Sequence, residues 1–198
     1  MPAFVCAAAR IVELPTGKAK REGNVIYMVE MDFPHPEREA EWHEWYLAHI
    51  RVLLTVPGFR ASQRFQAIVP TASPYLALHE VASAALFDNP AYRSRGGPGS
   101  VGEWRALQTN WHRNLLEGLE ETPEVPPAAH LLLLRDARDM ALTEPLSVSW
   151  LRGVGLDRTL GEVGLAVLAD PTAFIPLAHR DPRVRLYRPI SEKIRATG

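Results

Sequence analysis

Residues 36–65, PEREAEWHEWYLAHIRVLLTVPGFRASQRF, constrain this chain more than any other stretch. It opens on Pro36 and charged residues, which suits the first turn of a helix, where amides lack internal acceptors and the dipole favours carboxylates. Trp42, Trp45, Tyr46, His49, Leu53 and Val56 then recur at spacings of three and four, on one helical face. Pro57-Gly58 stops the helix, because proline disfavours a helical Val56 and glycine takes the dihedrals of a reversal. Residues 59–69 read as a strand. The helix must therefore lay two indoles, a phenol and an imidazole on a sheet, in a chain with only 8% aromatic residues. Chemistry is expected there.

The flanks supply that sheet. Residues 25–33 (VIYMVEMDF) are rich in β-branched and aromatic side chains and predict a central strand. Residues 59–69 and 75–81 form a hairpin around the Pro/Ser turn at 70–74. A short helical piece over 84–93 is interrupted at Asn89-Pro90. The glycine-rich 95–99 lacks both the strand-to-helix context and the Lys-Ser/Thr of a phosphate loop. Residues 101–121 predict a second long helix, with Trp104, Leu107, Trp111, Leu115 and Leu119 as a core-packing stripe. EETPEVPP at 120–127 is stiff and acidic, the best boundary. Strands are expected at 130–135, 147–156, 162–169 and 183–189, with an irregular 136–145, a short helix over 171–179 and a fraying end at 191–198. Ahead of all this, 4–14 reads as an apolar edge strand and 18–23 as a solvated arm.

The first part thus runs strand, helix, strand, strand, helix, and the second strand, irregular, strand, strand, helix, strand. Two βαββαβ units account for both, the second with its first helix lost. The fold class is α+β: tandem ferredoxin-like halves, the second degenerate, forming an α+β barrel with helices on the outer faces of antiparallel sheets. The divisions are 1–23 as an N-terminal strand or arm, 24–121 as the first half, 122–127 as linker and 128–198 as the second half.

Composition narrows the function. The 22 basic and 23 acidic residues nearly cancel, so nucleic-acid binding has no electrostatic support. The single cysteine, Cys6, excludes an intrachain disulfide and a multi-thiolate metal site. His43 and His49 lack the spacing of four that pairs metal ligands on a helix, and there is neither HExxH nor G-x-S-x-G. No apolar run approaches the roughly 20 residues of a membrane span, and the start lacks the basic opening of a secretory signal. The expectation is a cytoplasmic protein with no cofactor and no metal. Its partner is a small-molecule substrate, with no nucleic acid and no membrane, and it is a homodimer or an intramolecular pseudo-dimer.

These residues resemble the dimeric α+β barrel superfamily of ferredoxin-like fold, in its EthD-like branch. Trp45-Tyr46 with His49, Val56-Pro57-Gly58-Phe59, Arg64, the Tyr75 to Glu80 run YLALHE, and Asn89-Pro90-Ala91-Tyr92 carry the resemblance. It covers residues 24–95, and the rest by element order. It implies a pocket between sheet and helices, a His or Tyr for proton transfer, and apolar walls. It also implies a reaction among isomerisation, cyclisation, dehydration, lyase and cofactor-free or haem-type oxygenation. His79 departs from the pattern, at a position where many relatives carry an aromatic residue.

The candidate catalytic residues are His49, His79 and Tyr46. A neutral imidazole suits proton transfer near neutral pH, and Tyr46 can donate to a developing enolate. His49 is otherwise a structural histidine bonded to a carbonyl. His79 alternates with Tyr75 and Ala77, so it joins His49 only if that strand face meets the helix. Trp42, Trp45 and Tyr75 are candidate substrate-binding walls, with core packing the alternative. Arg64 is a candidate carboxylate clamp, or else an ion-pair partner of Glu80 or Glu30. The reading is an acid–base isomerase, cyclase, dehydratase or lyase acting on a small unsaturated or aromatic carbonyl compound. The alternatives are a monooxygenase of the same fold and a non-catalytic binding or assembly module.

Overall fold

The computed structural model describes residues 24–140 and 146–197. β1 (Val25–Asp32) leads through a 3-10 turn to α1 (Glu39–Leu53), followed by β2 (Phe59–Ala67) and β3 (Tyr75–Val81). Two short helices, α2 (Pro90–Arg95) and α3 (Trp104–Leu107), precede β4 (Thr109–Glu117). Then come β5 (His130–Arg135), β6 (Ser149–Leu156), β7 (Glu162–Leu168), α4 (Ile175–Arg180), β8 (Val184–Pro189) and the two-residue β9 (Ile194–Arg195).

The strands run in the order β3-β1-β4-β6-β7-β5-β8-β2, and β2 pairs again with β3. Every pairing is antiparallel, so eight strands close a barrel within one chain. The first four strands lie in the order β4-β1-β3-β2, and the next four repeat it as β8-β5-β7-β6, joined by the β4–β6 and β2–β8 seams. Closure satisfies the backbone groups that an open sheet would leave at its edges.

Alternation along each strand separates three apolar layers. Ile26 and Met28 on β1, Leu76 and Leu78 on β3, and Leu131 and Leu133 on β5 fill the barrel. Tyr27, Val29 and Met31 face outward beneath α1, together with Ala77 and Val81. On the far side Leu132, Leu134, Leu168 and Leu186 pack with Phe174 and Ala178. Trp42, Tyr46, Ile50 and Leu53 form the buried stripe of α1. Gly58 follows the helix at φ 105°, a value that only glycine holds without strain.

Two expectations are corrected. The helix predicted over residues 101–121 is one turn, α3, followed by a strand. Trp104, Leu107, Trp111 and Leu115 fit a helical stripe, but Trp111 and Leu115 equally share one face of a strand. Pairing with β1 and β6 decides in favour of the strand. Asn110 takes φ 47° where the chain enters it. The polar end at 191–198 does not simply fray: Ile194 and Arg195 pair with Ser62 and Ala61 on β2. The strand expected at 4–14, with Cys6, lies outside the described residues. No helix among the described residues is long and apolar enough to cross a membrane.

Candidate functional site

The outward faces of β1 and β3, the inner side of α1 and the start of β4 border a partly open cavity of about 30 Å³. That is room for roughly one or two waters. Tyr46, His49, His79, Trp45, Gln108 and Trp111 are among its lining residues. Of the residues singled out in the sequence, His49, His79, Tyr46 and Trp45 come together here, and Trp42, Arg64 and Tyr75 do not line the space.

His79 reaches the cavity because β3 presents Tyr75, Ala77 and His79 to the helix layer, with His79 opposite Tyr27 on β1 and Ser62 on β2. Ser62 Oγ lies 2.9 Å from His79 Nδ1, which fixes the ring, and the Tyr27 ring stacks on it at 5.2 Å. Burial, with smaller contributions from His49 and the Arg64 charge, lowers the His79 pKa to about 3. His49 stacks on Trp45 at 5.2 Å and makes no hydrogen bond to another described residue. Burial alone lowers its pKa to about 4. Both imidazoles are therefore neutral at working pH, each with a ring nitrogen available as a base. The Tyr46 phenol is pushed up to about 12, chiefly by burial, and stays protonated as a donor.

Arg64 sits behind Tyr46. It is 2% exposed, its guanidinium lies 4.0 Å from the Tyr46 ring centre and 4.9 Å from that of Trp42, and it has no carboxylate partner among the described residues. The expected ion pair with Glu80 or Glu30 does not form. Residues 62, 64 and 66 face the helix, whereas Glu30 and Glu80 lie on the barrel side of their strands. Arg64 Nη2 instead lies 3.2 Å from His43 Nδ1. Arginine only donates, so His43 carries its proton on Nε2, which faces Glu39 Oε1 at 3.6 Å. Glu39 also accepts from the Tyr75 hydroxyl, whose pKa is raised by burial and by this bond. Burial holds Arg64 down to about 10 and lowers His43 as well, with the Arg64 charge adding to the latter effect. Desolvation without a carboxylate makes this the most costly cation of the α1 face, softened by two aromatic ring faces.

Trp42 is fully buried, stacks on Phe33 at 4.6 Å, and its Nε1 has no partner. The outer wall of the cavity is aromatic. Trp45 stacks on Trp104 at 5.6 Å, Arg38 covers Trp104 at 4.5 Å, and Arg105 covers Trp111 at 4.2 Å. Gly96 borders the same space, and a Cβ there would come within 2.1 Å of Leu53, so its glycine lets α2 approach α1. Sequence reasoning missed Ser62, Tyr27, Gln108 and the His43 link. The first two follow from strand register, which no local pattern encodes. Gln108 was hidden by the helix prediction, and His43 was weighed as a metal ligand, not as a partner of Arg64. No cluster of three or more metal-ligating side chains occurs among the described residues.

Comparison with known proteins gives fold and no family. No protein-family model matches the chain, and no curated protein does. Among solved structures it resembles an anthrone oxidase-like protein with a TM-score of 0.60 and 11% identity, over 90% of this chain and 95% of that one. It also resembles a "putative monooxygenase" of Lactobacillus acidophilus NCFM, with a TM-score of 0.50 and 9% identity over 89% of this chain and 100% of that one. A third, a protein described in the same words from Fusobacterium nucleatum, has a TM-score of 0.50 and 8% identity over 88% and 96%. At these identities the likeness is one of fold, an α+β barrel.

Proposed function

We propose that this chain is a cofactor-independent enzyme that moves protons on a small unsaturated or aromatic carbonyl compound, by isomerisation, cyclisation, dehydration or lyase chemistry. The observation that carries the reading is the meeting of His49, His79 and Tyr46 on one cavity. His49, with no protein partner among the described residues, takes a proton from carbon next to the carbonyl. Its low basicity in the empty cavity rises as the enolate forms beside it, because opposite charges in contact stabilise each other strongly away from water. Tyr46 donates to the enolate oxygen, and Arg64 behind its ring adds positive potential. His79, oriented by Ser62, is the second imidazole, which accepts or returns the proton elsewhere on the substrate. An aromatic ligand exceeds a cavity of this volume, so the Trp45 and Trp111 side chains that line it must shift to admit one.

A second reading uses the same site and takes its direction from the named neighbours. The carbanion formed at His49 gives its electrons to dioxygen, as in the balanced conversion of anthrone and O₂ to anthraquinone and water. A haem-handling variant of this reading would show a Soret band in the purified protein. The repeated strand order supports tandem ferredoxin-like units over 24–121 and 128–198, joined by 122–127, as an intramolecular pseudo-dimer. The Trp45-Tyr46, His49 and Pro57-Gly58-Phe59 motif supports their placement in the EthD-like branch. The free His49 ring weighs against a purely structural role and so against a non-catalytic module.

Anthrone and smaller enolisable aryl ketones are the probes. Incubation in D₂O under nitrogen, followed by proton NMR, reads C–H exchange, and an oxygen electrode reads uptake in air. Exchange that depends on His49 supports proton transfer, and uptake with anthrone moves the second reading ahead. No exchange, no uptake and no quenching of tryptophan fluorescence across the set would overturn both.

A further inference from the structure

The two ends of the barrel interior differ in how their buried charges are met. At one end Glu80 Oε1 accepts from Thr122 N at 2.7 Å, from Thr122 Oγ1 at 2.8 Å and from Lys193 Nζ at 2.5 Å. One acid meets one base, with further donors. At the other end Glu30, fully buried, receives two guanidinium groups on a single oxygen: Arg135 Nη1 and Arg185 Nη1 both lie 2.5 Å from Oε1. Three polar atoms there make no well-formed hydrogen bond and have no contact with solvent: Glu30 Oε2, Arg185 Nε and the hydroxyl of Tyr187, itself fully buried, with the Arg185 guanidinium as the phenol's polar neighbour. A buried polar group without a full hydrogen bond is costly, so three together mark a place built for something else.

Charge and geometry say what would fit. Two arginines against one glutamate leave an excess positive charge, which favours an anion. Arg185 Nε can only donate, Glu30 Oε2 as a carboxylate oxygen can only accept, and the Tyr187 hydroxyl does either. The side chains of Arg135 and Arg185 are 17% and 12% exposed, so this end communicates with solvent. His112 stands opposite Glu30 in the β1–β4 register, at the same end.

We propose that this mouth of the barrel binds a small oxyanion carrying its own hydroxyl, hydrogen phosphate being the simplest. The oxyanion oxygens accept from Arg185 Nε and the Tyr187 hydroxyl, and the O–H of the anion donates to Glu30 Oε2. The site is separate from the His49 cavity, which lies on the outer side of β1, and stands whether or not the proposed activity does. Forked guanidinium donors suit phosphate geometry. Burial pushes the Tyr187 phenol up to about 12, with the Glu30 charge adding and the Arg185 and Arg135 guanidiniums opposing, so it remains a donor.

The test uses the full chain with inorganic phosphate against chloride at matched ionic strength. Thermal unfolding is expected to rise with the logarithm of phosphate above Kd, by about 3–6 °C at tenfold excess. Broadening of the phosphorus NMR line should saturate over the same range. Tyr187→Phe, which keeps the ring packing, should lose most of the rise, and Arg185→Met should abolish it. His49→Ala should leave it unchanged. If Arg185→Met does not fold, Tyr187→Phe decides alone. No rise in the unaltered protein, or an equal rise in Tyr187→Phe, would overturn the proposal and assign the three atoms to bound water.

Discussion

The barrel has two helix-covered faces, and they bury different kinds of side chain. Under α1 lie Tyr46, His49 and His79 around a small cavity, with Arg64 and Tyr75 packed beside it. Under the six-residue α4 lie Leu132, Leu134, Leu168, Leu186 and Phe174, and the same face of β5 carries a single histidine, His130, whose buried Nδ1 has no partner among the described residues. Two sheets of the same strand order thus serve different ends. A short helix suffices to seal aliphatic side chains, since their burial is non-directional. The longer α1 is needed to hold polar side chains at defined angles around a void, against the cost of desolvating them.

Substitutions should separate the faces sharply. His49→Ala with His79→Ala is expected to lower turnover by about 10²–10⁴-fold, the usual share of positioned acid–base groups, with the chain still folded by circular dichroism. Full turnover in the double variant would end the proton-transfer reading. Phe174→Ala reverses the pattern, costing about 3–5 kcal/mol of stability in urea unfolding while turnover per folded molecule holds. Equal losses of activity on both faces would erase the distinction. Tyr46→Phe removes a hydroxyl that has no partner among the described residues, so stability should barely change while kcat falls about 10²–10³-fold.

The smallest effect is in pH dependence. The His49 and His79 pKa values are lowered to about 4 and about 3 in the folded chain, against an ordinary 6.5. Between those values and 6.5 the unfolded state binds more protons, so stability rises with pH through that window and is lost on acidification. Above about pH 7 both states carry neutral rings and this contribution is flat. His49→Ala should shallow the slope between pH 6.5 and 4, and Phe174→Ala should not. The acid limb of kcat/KM should likewise sit well below 6.5, and a limb at 6.5 would show the histidines to be solvated.

The sequence made α1 legible because its signals are local: Pro36 and acidic residues at the start, aromatic spacing, and Pro57-Gly58 at the end. Strand β5 matched its expected bounds for a similar reason, an uninterrupted apolar run. Strand β4 was missed because Trp111 and Leu115 satisfy two periodicities, and only pairing across the barrel chooses between them. His79 shows the same limit. Its identity suggested chemistry, but which side of the sheet it serves is set by closure, a non-local property. Arg64 was expected beside a glutamate on a neighbouring strand. Alternation puts those acids on the opposite side and gives the guanidinium two ring faces and His43 instead.

Closing eight strands within a single polypeptide has a genetic consequence. In a barrel assembled from two identical chains every substitution is made twice, once on each side, so a gain on one face is bound to its effect on the other. Here a codon for His49 has no obligatory twin beneath α4. One side is free to accumulate costly polar residues while the other drifts toward plain packing, and each can be altered without renegotiating its opposite.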